Sequence, residues 1–176
     1  MTGPRVSYVA VVGPGEDASS EAVDDAASVG WLIAQRGWIT LTGGRAAGVM
    51  AAAAAGASGA GGTVVGILPG ADRDDAATGL TIALPTGLGE ARNAVLVTAA
   101  DAVIACGINA GTLSEIALAM KAGKPVALVR PDARTKAFFD SMGANGCLHI
   151  ALSSEDAVAW VGECGTGQGN AGSGTA

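Results

Sequence analysis

The segment "CGINAGTLSE", residues 106–115, puts two glycines, an asparagine and a threonine ahead of a carboxylate that opens an amphipathic run. These types support two kinds of chemistry. Gly107, Asn109, Gly111 and Thr112 follow an apolar, strand-like run and precede a helix-like one, so their backbone N–H groups suit close contact with an anion. Glu115 lies three residues after Thr112. That spacing fits a capping box with Thr112 as N-cap, and it also fits a carboxylate facing a ligand; from the motif alone T-x-x-E is more often a cap.

Two further loops have the same character. "TGGRAAGVM" sets Gly43, Gly44 and Gly48 around Arg45, an arrangement that serves either as an anion cradle or as a tight turn; the spacing leaves both readings open. "VVGPGEDA" matches the dinucleotide pattern G-x-G-x-x-A through Gly13, Gly15 and Ala18. A ribose-binding carboxylate should then close the second strand, but none lies between Asp25 and Asp72, and a plain turn is the better reading than an NAD site. His149, the only histidine, and Cys106, at the end of a strand-like run, read as structural. The run "RPDARTK" brings Arg130, Arg134 and Lys136 to the mouth of the sheet, as solvated charge or as a source of positive potential.

The elements that must position these loops follow from periodicity. Short β-branched runs alternate with Ala-rich segments, the pattern of βαβ units, so the fold class is α/β: a single doubly wound, Rossmann-like, mainly parallel sheet flanked by helices. Strands are predicted near 5–12, 38–42, 63–68, 80–84, 101–106, 125–129 and 148–150, and helices near 19–36, 45–58, 89–99, 112–122, 135–141 and 154–162. One domain is expected over residues 1–164, followed by a disordered Gly-rich tail over 165–176. Hydrophobic residues make up 49% of the chain but aromatics only 3%, so the core must be built from small aliphatic side chains. In an open parallel sheet such as this, ligands bind outside the carboxyl ends of the strands, where all three glycine loops fall.

Composition narrows the partners. A net charge of -6 argues against a nucleic-acid footprint, which needs clustered Lys and Arg. The uncharged stretch from Ala46 to Ala71 contains seven glycines and Pro69, so a buried helix followed by a strand explains it better than a membrane span. Three widely spaced cysteines without C-x-x-C suggest neither a disulfide framework nor a metal site, and with no signal-peptide pattern a cytoplasmic protein is expected.

The ordered set "LTGGRAAGVMAAAAAGA", "GGTVVGILPG", "LGEARNAVLV" and "ADAVIACGINAGTLSEIALAMKAGKPVALV", over about residues 5–130, resembles the Rossmann-like superfamily of the Lonely-Guy phosphoribohydrolases, once misannotated as lysine decarboxylases. Within it the chain is most similar to the short branch containing the molybdenum-cofactor carrier proteins. The resemblance implies that Gly43, Gly44 and Gly48 belong to a phosphate loop, that Arg92 is the family's ligand-facing arginine, and that Gly111, Thr112 and Glu115 match its G-T-x-x-E. In the hydrolases Arg92 and Glu115 would be the catalytic pair. Two departures point away from hydrolysis: Asn93 stands where the hydrolases have Lys, and Gly107, Ile108 and Asn109 replace P-G-G. For Arg92 the residue-level alternative is a surface pair with Glu90 or Asp101.

The reading is therefore a binder of a phosphorylated, nucleotide-like small molecule or cofactor, carrier- or sensor-like, with a bound nucleotide or molybdenum cofactor as the implied ligand. The alternative is a nucleoside 5′-monophosphate phosphoribohydrolase that cleaves an N-glycosidic bond. No metal ligands are expected, and the superfamily implies a homodimer or homotetramer.

Overall fold

A computed structural model describes residues 8–142 and 147–166. Seven parallel strands form one sheet: β1 (Tyr8–Val12), β2 (Ile39–Thr42), β3 (Val64–Leu68), β4 (Ile82–Pro85), β5 (Ala102–Cys106), β6 (Val126–Val129) and β7 (Leu148–Ala151). Their order is β4-β3-β2-β1-β5-β6-β7. The helices are α1 (Ser20–Gln35), α2 (Gly48–Gly59), α3 (Arg92–Ala99), α4 (Ala110–Lys121), α5 (Ala133–Ser141) and α6 (Ser154–Thr166), with a 3-10 turn at Gly89–Ala91 leading into α3. The α/β class and the Rossmann-like parallel sheet are as the alternating pattern predicts. The tail expected from residue 165 lies outside the described residues except for its first two positions, which end α6.

Helices cover both faces, which is why the central strands are apolar along their whole length rather than alternating. All five residues of β5 and all four of β6 are buried. One core layer joins Val9, Val11 and Ile104 to Val29 and Ile33 of α1 and Val158 of α6. The other joins Val12, Val103 and Leu128 to Leu96 of α3, Ile116 of α4 and Phe139 of α5. With so few aromatics, tightness comes from small residues: a Cβ on Gly30 of α1 would stand 2.2 Å from Ala53 O of α2, and one on Gly56 would stand 2.0 Å from Ala27 O. The two helices therefore meet backbone to backbone.

Capping chemistry sets the helix ends. Ser19 accepts from the Ala22 amide to start α1, and Asp132 accepts from the Thr135 amide to start α5. Lys124, in the "AGKP" turn, donates to the carbonyls of Val97 and Thr98 at 2.8 Å each, so it caps the C-terminus of α3 from a different part of the chain. Four helix starts differ from the sequence expectation by two or three residues: α3 begins at Arg92, after the 3-10 turn, and α5 at Ala133, and the other two have a visible cause. α2 begins at Gly48 rather than near 45, because Ala46 N and Ala77 N bond to Asp75 O and Gly44 O and hold residues 44–47 against the loop after β3. α4 begins at Ala110 with Asn109 as its N-cap.

Candidate functional site

Strand order reverses between β1 and β5, so the helices that follow these strands lie on opposite faces and a crevice opens outside their carboxyl ends. A cavity of about 500 Å³ occupies it. Gly13, after β1, and Gly43, after β2, form part of its wall. Arg45, Arg92, Asn93, Asn109, Gly111, Thr112 and Glu115 complete the set of sequence-predicted residues that the structure brings together there.

At the centre, Arg92 Nη1 donates to Glu115 Oε1 at 3.0 Å, joining the first residue of α3 to the second turn of α4. Both side chains are buried, at 8% and 6% exposure for the residues. Arg92 thus pairs with neither Glu90 nor Asp101. Burial pushes the Glu115 carboxyl up to about 7; it outweighs the opposing attraction and hydrogen bond of Arg92, and the nearby Glu90 adds to the rise. The pair is also incompletely satisfied, since Arg92 Nε is buried without a hydrogen-bond partner. Space for the guanidinium comes from Gly43, where a Cβ would stand 2.5 Å from Arg92 Nη2.

The loop before α4 corrects the capping-box expectation. Asn109 Oδ1 accepts from both the Thr112 amide and Thr112 Oγ1, each at 2.9 Å, so Asn109 is the cap and Thr112 is its donor. Glu115 is left to Arg92. Asn109 has φ −140°, in the extended region. Ile108 packs against the apolar layer beneath α4. The left-handed turn falls on Gly107 at φ +76°, so the Ile-Asn replacement is accommodated without strain. Beside it, Asn93 Nδ2 donates to Ser114 Oγ at 3.0 Å and Ser114 Oγ donates to Gly111 O at 2.7 Å. Asn93 Oδ1 is buried and has no partner.

Three predicted glycines do not line the cavity; they hold the loops that do. Gly44, at φ +78°, lets β2 turn against Gly66 of β3, and Gly48, at φ +47°, brings α2 so close to the first loop that a Cβ would stand 2.0 Å from Gly15 O. Gly107 turns the chain against Pro14 and Ala22. Arg45 is half-exposed and lies 3.6 Å from Glu16. Away from the cavity, His149 stacks on Trp160 at 5.0 Å and bonds Asp156, and Arg130 is held by Asp25. Cys106 is fully buried, and burial pushes its thiol up.

Sequence reasoning missed Met50, Asp75 and Glu90, which also line the cavity. Asp75 and Glu90 follow β3 and β4, so the rule that drew attention to the loops after β1, β2 and β5 applies to them too. Met50 was legible only within the quoted glycine motif. Among the described residues no cluster of His, Cys, Asp and Glu is arranged to hold a metal ion, and no helix is long and apolar enough to cross a membrane.

A model of the SLOG cluster4 family matches residues 6–158. The molybdenum cofactor binding protein of the phototrophic bacterium Rippkaea orientalis is 42% identical, with a TM-score of 0.88 over 92% of this chain and 99% of that one. The molybdenum cofactor carrier protein of Chlamydomonas reinhardtii is 39% identical, with a TM-score of 0.85 over the same shares. A protein of Archaeoglobus fulgidus is 42% identical over 127 residues, covering 72% of this chain and 82% of its own length. The resemblance to the branch near the molybdenum-cofactor carriers, read from the ordered loops, is borne out.

Proposed function

We propose a cofactor-carrier role from this premise: the chain belongs to the SLOG cluster4 family. Its cargo is the molybdenum cofactor or a closely similar phosphorylated pterin, held in the crevice between β1 and β5. The observation that carries the reading is the unsatisfied buried pair of Arg92 and Asn93 in that cavity, within a chain 42% identical to a protein that binds this cofactor. A buried donor and a buried acceptor left without partners cost about 1–3 kcal/mol each, and a ligand that meets them recovers that cost.

The residues fit the organic part of such a cargo. Arg92 and Arg45 supply guanidiniums for a phosphate, and Gly111 exposes backbone at the start of α4, where free N–H groups favour an anion. Asp75, Glu90 and Glu115 supply carboxylates of the kind that accept from the amino group of a pterin. Because Glu115 titrates near neutrality, a phosphate that takes Arg92 away from it leaves a carboxyl able to gain a proton instead of a buried bare charge. Nothing in this arrangement favours cleavage: where the hydrolases carry a lysine, Asn93 offers an uncharged amide. As part of the same reading the chain acts as a homodimer or homotetramer, for which exposed Val95 on α3 and Leu118 on α4 offer apolar contact.

The test is retention of cargo. Protein incubated anaerobically with molybdenum cofactor released from a molybdoenzyme, then passed through gel filtration, should carry about one molybdenum per chain by elemental mass spectrometry. Elution free of molybdenum overturns the reading.

A further inference from the structure

We propose that Asn93 is a specificity-determining residue that accepts a hydrogen bond from a ring N–H of the bound heterocycle, selecting the lactam N–H that pterins carry. The proposal rests on the carrier reading above and goes beyond it, since it assigns Asn93 to the ring and not to the phosphate.

Three groups fix which way the amide faces. A serine hydroxyl has one proton, and Ser114 Oγ spends it on Gly111 O, 2.7 Å away. Its contact with Asn93 at 3.0 Å must then be a bond that Asn93 Nδ2 donates. Oδ1 is therefore the remaining end of the amide, buried and without a partner on a side chain that lines the cavity. An amide oxygen only accepts. A deprotonated phosphate only accepts as well, so phosphate leaves Oδ1 as it found it, and only an N–H or O–H group on the ligand satisfies it.

Arg92, the preceding residue, is left to the phosphate, since consecutive positions of a helix do not face one another. The last torsion of an asparagine lies in a broad well, so a small rotation brings Oδ1 toward a bound N–H while Nδ2 keeps its bond to Ser114. An analogue that lacks the N–H leaves the acceptor unpaired, which is how polar sites reject close relatives of their ligands.

The experiment compares pterin with 3-methylpterin, in which the lactam N–H is replaced by N–CH3, by fluorescence titration. The parent protein should bind pterin about 10-fold to 100-fold more tightly, the range set by one unpaired buried acceptor. Asn93→Leu keeps the bulk and loses the acceptor, so it should bring the two affinities within about threefold, whereas Asn93→Asp, which keeps an acceptor, should retain the preference. If Asn93→Leu rejects 3-methylpterin as strongly as the parent, the rejection is steric and the assignment falls. Equal affinities in the parent also overturn it, while retention of molybdenum leaves the carrier reading standing. A parent that binds neither pterin and retains no molybdenum overturns both. Should Asn93→Leu fail to fold, Asn93→Met, which likewise keeps bulk and loses the acceptor, makes the same comparison.

Discussion

Among the described residues, two hydrogen-bonded arginine–carboxylate pairs stand at the carboxyl end of the sheet, and they are built differently. Arg130, just after β6, grips Asp25 of α1 with two bonds, Nη2 to Oδ1 at 2.6 Å and Nε to Oδ2 at 3.2 Å. Its side chain is 43% exposed, so water serves the donors that Asp25 does not, and Glu21 lies a further 3.6 Å away. Arg92 makes one such bond to Glu115, and its Nε is buried with nothing to bind. The first pair is a finished clamp between a strand end and a helix. The second leaves a buried donor without a partner on a residue that lines a cavity. A buried ion pair is weak evidence for stability because desolvation offsets attraction, so an incomplete one at a crevice points to a ligand.

The largest expected effect uses pH to separate the pairs. Glu115 is raised from its ordinary 4.5 to about 7, so between those values the folded protein holds a proton that the unfolded chain has lost. The contribution is complete below pH 4.5, falls as pH rises through about 7, and is flat beyond, by up to about 3 kcal/mol. Urea unfolding at about pH 5 and about pH 8 should show that slope in the parent and not in Glu115→Gln. Identical slopes in both would mean that Glu115 is an ordinary solvated carboxylate.

Next comes a cross-test of the arginines. Arg92→Ala should weaken molybdenum-cofactor binding about 100-fold, the loss of charge-assisted bonds to an anion, with the melting temperature little changed because Glu115 can take up a proton. Arg130→Ala should do the reverse, lowering the melting temperature by several degrees and leaving affinity within about threefold. Two variants with the same phenotype would erase the distinction.

The smallest effect belongs to a third pair. Arg45 and Glu16 are 39% and 82% exposed and 3.6 Å apart, so Arg45→Ala should change unfolding free energy by no more than about 0.5 kcal/mol. Because Arg45 lines the cavity, affinity for the cofactor should still fall about threefold. A loss of stability comparable to Arg130→Ala would show that the first loop depends on this contact.

What the sequence determined by itself was everything with a local cause. The alternation of β-branched and Ala-rich runs set the strands and helices to within a few residues, because period is a property of neighbours along the chain. The glycine loops were legible as neighbours because parallel strands put every such loop at one end of a sheet. Tertiary structure decided what depends on rotation and distance. Arg92 and Glu115 are 23 positions apart on different helices, and only the packing of α3 against α4 turns them toward one another. The same packing gives Ser114 two partners and so leaves Asn93 Oδ1 without one. Asn109 displaced Thr112 as the cap because α4 starts two residues earlier than its apolar pattern, and first-turn residues that face a cavity carry no periodic signal. Gly43 makes room for a guanidinium and Gly48 for a carbonyl, yet in the sequence they are the same residue in the same motif. Composition and period are summed along the chain; the site is set by contacts between segments that the chain alone does not bring together.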